Sequence, residues 1–253
     1  MKVLHLLKTA VGASWALRQT SELVKLGVEV HLALPDGPMV AKYQQAGVKV
    51  HIFDPSIELR KPWLNKQKIT KLRALVDEIN PDIIHSHFVA TTLLMRLALR
   101  KYRLPRVFHV PGPLHLEHLL FRSVELALAQ QQDYWLASCM WTRQRYQDSG
   151  IASTRIGLAY YGVNEEDFLF QQSPTVNIKQ QLNLPEDSFV VAMVAYFYAP
   201  KPYLGQTRGL KGHEDLIDAI AIVKQSHANV KCIFVGGPWA NADSYFQKVK
   251  QYA

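Results

Sequence analysis

The sequence is poor in cysteine, with only Cys139 and Cys232 among 253 residues. A pair so far apart builds neither a disulfide framework nor a four-ligand zinc cluster. The expected compartment is therefore a reducing cytoplasm. The sequence also lacks any run near the ~20 apolar residues that a bilayer-spanning helix requires. Its start, MKVLHLLKTAVG, brings in Lys8 too early for a signal-peptide core. A soluble or peripheral protein is expected. Neither a Gly-x-Ser-x-Gly elbow nor a Walker loop occurs. Acidic residues are fewer than basic ones, 21 against 29, for a net charge of +8.

What is present is a globular composition, 48% hydrophobic and 20% charged, which excludes a mostly disordered chain. A length of 253 fits one large domain or two ordinary ones. The positive charge is uneven: residues 60–106 hold 11 basic and 3 acidic residues. Such a stretch suits anionic lipid, nucleic acid or a phosphorylated substrate, and equally a solvated helix face. Aromatic residues that would stack on single-stranded nucleic acid are sparse there: Trp63, Phe88 and Tyr102. Nucleic acid is therefore not expected, and an anionic membrane surface is the better partner.

Strand and helix patterns alternate. Short apolar runs predict strands at 3–7, 28–34, 48–53, 82–88, 106–110, 133–138 and 155–160. Between them lie helical patterns at 14–26, 38–46, 64–79, 89–101 and 116–131, the first stopped by Gly27. This alternation implies an α/β fold with a doubly wound parallel sheet. Residues 171–188 are polar, carry two prolines and read as a linker with a short helix. Strands at 189–197 and 230–237, with helices at 213–225 and 241–252, begin a second unit. The expected organisation is a domain over 1–170, a linker over 171–188 and a partial domain over 189–253.

Five stretches carry chemistry. TAVGAS at 9–14 joins the first strand to the first helix. There Gly12 and Ala13 offer close backbone approach and a helix start to a phosphate. A dinucleotide fingerprint needs three spaced glycines, and only Gly12 is present. His85 and His87 alternate onto one strand face. Two histidines can bind zinc, but no third ligand is evident nearby, although His109, His115 and His118 follow. No metal is expected, and His87 is assigned to a cleft at the strand end.

The stretch VPGPLHLEHL at 110–119 forces a rigid loop and presents His115 and Glu117 toward substrate. Glu117 also fits a plain first-turn helix acid. The loop 196–216 carries Lys201, Arg208 and Lys211 among three glycines before a helix, which suits a diphosphate. Glu214 and Asp215 already occupy that helix's favourable field, so side-chain cations carry most of the binding. In VGGPW at 235–239, Gly237 permits close approach to a ligand.

In order and spacing, these stretches resemble the retaining, nucleotide-sugar-dependent glycosyltransferases of family 4, with the GT-B fold. Residues 9–14 look like the family's glycine loop, and DIIHSHF like its Asp-x-x-His-x-His strand. YGVNEEDF at 161–168 looks like the signature closing the first domain. GLKGHEDLIDAI at 209–220 and VGGP look like segments of the second.

The resemblance implies two Rossmann-like domains, the first binding the acceptor and the second the sugar nucleotide. It implies transfer of a sugar to a hydroxyl of a glycan or lipid-linked acceptor with retention, without a metal or other cofactor. Gly12, Ala13, Lys211 and Gly237 then hold the donor phosphates. The family arginine falls on Tyr196, with Arg208 or Lys201 as its substitute. The family histidine falls on Pro111, so His115 or His109 takes the catalytic contact. Two glutamates of the family's second domain have no counterpart before Ala253. The chain is thus expected to hold the first domain and the opening third to half of the second. The alternative function is a non-catalytic fragment or binding module.

Overall fold

A computed structural model describes residues 1–110, 112, 114–168, 177–202 and 205–253. Residues 171–176 of the expected linker, and Pro111, lie outside the described residues. The chain packs as two compact units, Met1–Leu169 and Phe170–Ala253.

In the first unit, β1 (Lys2–Leu6) leads through α1 (Ser14–Lys25), β2 (Glu29–Leu34) and α2 (Val40–Gln45) to β3 (Lys49–Ile52). Then α3 (Leu64–Ile79) returns the chain to β4 (Ile83–His87), which is followed by α4 (Val89–Ala98) and β5 (Arg106–Val110). Next come α5 (Leu114–Glu117), α6 (Leu119–Ala127), β6 (Asp133–Ala137), α7 (Met140–Asp148) and β7 (Ile156–Leu158). The sheet order is β3-β2-β1-β4-β5-β6-β7, with every pair parallel. This is the doubly wound α/β sheet that the alternation predicts. Its central strands β1, β4 and β5 are each buried at four of five positions, because helices cover both faces. Leu32, Leu34 and Tyr43 pack with Ala13 and Ala16 of the α1 side. Leu4, Leu6 and Ile84 pack with Leu72, Val76, Leu94 and Met95 of α3 and α4.

One helical expectation changes, and one helix arises where none was expected. The helix expected at 116–131 is two helices, because His118 adopts extended backbone (φ −97°, ψ 116°) and starts α6 afresh. This lets Leu116 stay buried while Leu119 and Leu120 face outward. Helix α7 has no apolar stripe to betray it: MWTRQRYQD buries only Thr142 and Tyr146.

The basic stretch 60–106 also needs correction as a surface. Arg96 and Arg106 are fully buried. The Arg96 guanidinium lies 2.6 Å from Glu125, and that of Arg106 lies 2.9 Å from Asp133. The Trp135 indole N–H donates to the Glu125 carboxylate at 3.0 Å. Buried charges persist only when paired and hydrogen-bonded. Lys68 is paired too, 2.6 Å from Asp54. A sequence count treats all these cations as solvated, whereas α4 and β5 are interior elements.

The second unit contains α8 (Ile178–Gln181), β8 (Phe189–Val194), α9 (His213–Val223), β9 (Val230–Val235) and α10 (Asp243–Tyr252). Asn177 caps α8, its side-chain oxygen accepting from the Lys179 N–H at 3.0 Å. Strands β8 and β9 pair in parallel, and a bridge between Phe197 and Pro238 prolongs them. Phe197, Tyr245 and Val249 form the buried core of this unit.

Candidate functional site

In the first unit the sheet winds both ways from the β1–β4 pair. In open α/β sheets, ligands bind outside the carboxyl ends of the strands at such a switch point. Two irregular segments mark this edge. After β1, Gly12 takes φ +69°, a left-handed conformation that favours glycine. After β4, Phe88 takes φ +77° with ψ 150°, a conformation costing a non-glycine residue about 1–3 kcal/mol. The Lys8 ammonium lies 4.6 Å from the Phe88 ring centre.

Beside this edge four histidines share one sheet face. His5 of β1 is the register partner of His85 on β4, and His87 is the partner of His109 on β5. The His85 and His87 rings stack at 4.3 Å, as alternation along the strand predicts. His5 Nδ1 and His87 Nε2 are 3.1 Å apart and share one hydrogen bond. All four residues are buried. Burial lowers the His5 pKa to about 3, helped by the nearby His109. Burial likewise lowers His109 to about 4, and holds His85 and His87 well below the usual imidazole range. All four rings are therefore neutral at pH 7.

His87 thus lies within this cluster rather than exposed in a cleft. The third histidine, missing from the neighbourhood of His85 in sequence, comes from β1. One ligand atom each from His5, His85 and His87 lies within 4.8 Å of the others.

The His109 ring stacks on Tyr161, with centroids 4.6 Å apart and planes 13° apart. Both line a groove of about 660 Å³ between α1 and residues 159–166. Its charged lining joins Arg18 and Lys25 to three carboxylates, Glu22, Glu165 and Glu166, and its aromatic lining includes Trp15 and Tyr161. Arg18 Nε donates to the Gly162 carbonyl at 3.0 Å, tying α1 to the opposite wall. A few polar groups around aromatic surface suit a hydroxyl-rich ligand.

His115 does not line this groove. It is buried against Phe108 and Tyr146, with ring centroids 5.4 and 6.4 Å away. Burial, with the Arg96 charge as the lesser cause, lowers its pKa to about 4. The short helix α5 turns His115 inward with Leu116, while Glu117 is exposed and is not part of the groove lining either. His109, not His115, is the sequence-predicted histidine that reaches a groove. His5, Trp15 and Arg18 were not legible as site residues, since only the strand order and the α1 packing bring them here.

In the second unit, the loop before α9 places its cations unequally. Arg208 lies 2.7 Å from both Asp215 and Asp218. Its guanidinium is thus shared with two half-exposed carboxylates rather than standing alone in the loop. Lys201 and Lys211 form no ion pair among the described residues. The Lys211 ammonium stands 5.8 Å from the Tyr198 ring centre. Glu214, in the first turn of α9, accepts from the Tyr245 hydroxyl at 2.7 Å and from the Gly209 N–H at 3.3 Å. After β9, Gly236 takes φ +148°, where any Cβ would collide with the Ala195 carbonyl. Gly237 accepts from the Phe197 N–H at 2.9 Å, so its carbonyl is used within the fold.

Residues 13–167 match the model of Glycosyltransferase Family 4, more than half of the chain. No curated protein matched the chain in the sequence comparison. Among solved structures, HepE from Anabaena in complex with UDP and glucose is 21% identical with a TM-score of 0.72. That match covers 100% of this chain and 65% of HepE, so the chain spans slightly under two thirds of HepE's length. Sucrose-phosphate synthase from Thermosynechococcus elongatus is 15% identical with a TM-score of 0.70, covering 100% of this chain and 68% of that one. A glycosyltransferase from Rickettsia africae is 15% identical with a TM-score of 0.67, covering 99% and 64% respectively. These likenesses show a GT-B-like fold. The family match over residues 13–167 shows more: the chain belongs to glycosyltransferase family 4.

Proposed function

We propose that the protein transfers a sugar from a nucleotide-diphosphate donor to a hydroxyl acceptor with retention of configuration. Membership of family 4 carries this reading, and HepE, solved in complex with UDP and glucose, supports a nucleotide-sugar donor. The groove along α1 takes the acceptor, a glycan or the sugar end of a lipid-linked molecule, with His109 and Tyr161 at its wall. Lys211, which pairs with no carboxylate among the described residues, neutralises the donor diphosphate. Backbone amides around Gly12 and Ala13, in the first unit, are a separate candidate contact for an anion. Neutralising that charge lowers the barrier to leaving-group departure. The departing phosphate accepts the acceptor's proton, so no carboxylate base pair is needed. No metal ion bridges the diphosphate on this reading.

The test is donor hydrolysis and transfer by the intact protein, beginning with UDP-glucose. Lys211→Ala should lower kcat/KM by roughly 10-fold or more, the scale of one lost charge-assisted contact. Arg208→Ala should change it by less than about 3-fold, because that guanidinium is already engaged by two carboxylates. Unchanged turnover in Lys211→Ala overturns the phosphate assignment. Binding of UDP- or GDP-sugars without turnover favours the alternative, a non-catalytic binding module.

A further inference from the structure

Sugar transfer by the groove and the cationic loop makes no use of the histidine cluster at the strand switch point. We propose that His5, His85 and His87 bind one divalent transition-metal ion of the zinc type.

Two observations support the site. The first is geometry. The ligand atoms lie within 4.8 Å of one another, and the His5 Nδ1–His87 Nε2 edge is 3.1 Å. A tetrahedral zinc ion with bonds of about 2.0–2.1 Å to imidazole nitrogen spaces its ligands by about 3.3 Å. One edge is thus already of that length, and His85 closes the set by a small ring movement.

The second is unmet hydrogen bonding. His85 Nε2 is buried with no hydrogen-bond partner among the described residues. Buried polar side-chain atoms are usually hydrogen-bonded, and an ion would give this nitrogen a partner.

The ligands come from two adjacent strands, so the ion would clamp β1 to β4 where the sheet reverses. Three protein ligands leave a tetrahedral ion one position for a solvent or substrate oxygen. His109, 5.5 and 5.9 Å away by ring centroids from His85 and His87, flanks the set on β5.

The experiment uses the tag-free chain, stripped with a chelator and titrated with Zn²⁺ by calorimetry and with Co²⁺ by absorption. One equivalent should bind with micromolar or tighter affinity. Co²⁺ should give visible bands of a low-coordinate nitrogen site, and Zn²⁺ should raise the melting temperature. His85→Asn should weaken binding by at least ~10-fold, while His51→Asn, outside the cluster, should change it by less than ~2-fold. Substoichiometric or millimolar binding by the unaltered chain overturns the proposal. So does undiminished affinity in a folded His85→Asn protein. If that variant does not fold, the Co²⁺ spectrum of the unaltered chain decides, and six-coordinate, oxygen-type bands overturn the site.

Discussion

The His109 imidazole lies face to face with the Tyr161 phenol ring, 4.6 Å apart and within 13° of parallel. The contact joins β5 to the segment that follows β7, and so fixes one wall of the groove. Burial raises the Tyr161 pKa, and its hydroxyl has no hydrogen-bond partner among the described residues. The ring, not the hydroxyl, therefore makes the contact. Tyr161→Phe should preserve stability to within about 1 kcal/mol, whereas Tyr161→Ala should lose about 2 kcal/mol or more by removing stacked and buried area. Urea unfolding of the two variants checks this. The Ala variant should also raise the acceptor KM more than it lowers kcat.

The buried histidines make stability depend on pH. His5, His85, His87, His109 and His115 all have folded pKa values below the ordinary 6.5. Below pH 6.5 the unfolded chain therefore binds more protons than the folded one, and stability rises with pH in that window. Each group contributes about 1.4 kcal/mol per pH unit there. For His109 and His115 the loss runs from about pH 6.5 down to about 4, and for His5 down to about 3. Chelator-treated protein should lose melting temperature steeply below pH 6 and show no histidine-linked change above pH 7.5. In His115→Gln the slope should fall by about one proton.

The pairs Arg96–Glu125 and Arg106–Asp133 are buried at 2.6 and 2.9 Å. Breaking one partner leaves an uncompensated charge in the core. Arg96→Met or Glu125→Gln alone should cost about 3–5 kcal/mol, and the double variant less than the sum of the two. Denaturant unfolding of the four-member cycle measures the coupling. An additive result would show that the pair contributes no interaction of its own.

On the surface, Arg60, Lys61, Lys66, Lys71, Arg100, Lys101 and Arg103 remain exposed on or beside α3 and after α4. These are the cations that a proposed anionic bilayer surface would meet. Co-sedimentation with vesicles containing anionic lipid should exceed that with neutral vesicles, and should fall several-fold between 0.05 and 0.5 M salt, where screening tightens to about 4 Å. Salt-insensitive binding would argue against electrostatic docking.

The sequence determined the α/β class, because strand-length apolar runs alternate with helical patterns and each run needs cover on both faces. It also determined that His85 and His87 share a face, a consequence of the two-residue period of a strand. It placed His109 at a strand end and Lys211 in a cation-bearing loop by local spacing alone. Tertiary structure decided the rest, because charge state and exposure depend on neighbours distant in the chain. Arg208 meets Asp215 and Asp218 only when its loop folds onto α9. Arg96 and Arg106 leave the basic surface only because α4 and β5 are interior. His115 turns inward because the helix breaks at His118. Least legible was the partnership of His5 with His85, separated by 80 residues, since it requires β1 to pair with β4. The scarcity of cysteine spoke against a metal site, but the fold gathers candidate ligands from histidines on neighbouring strands.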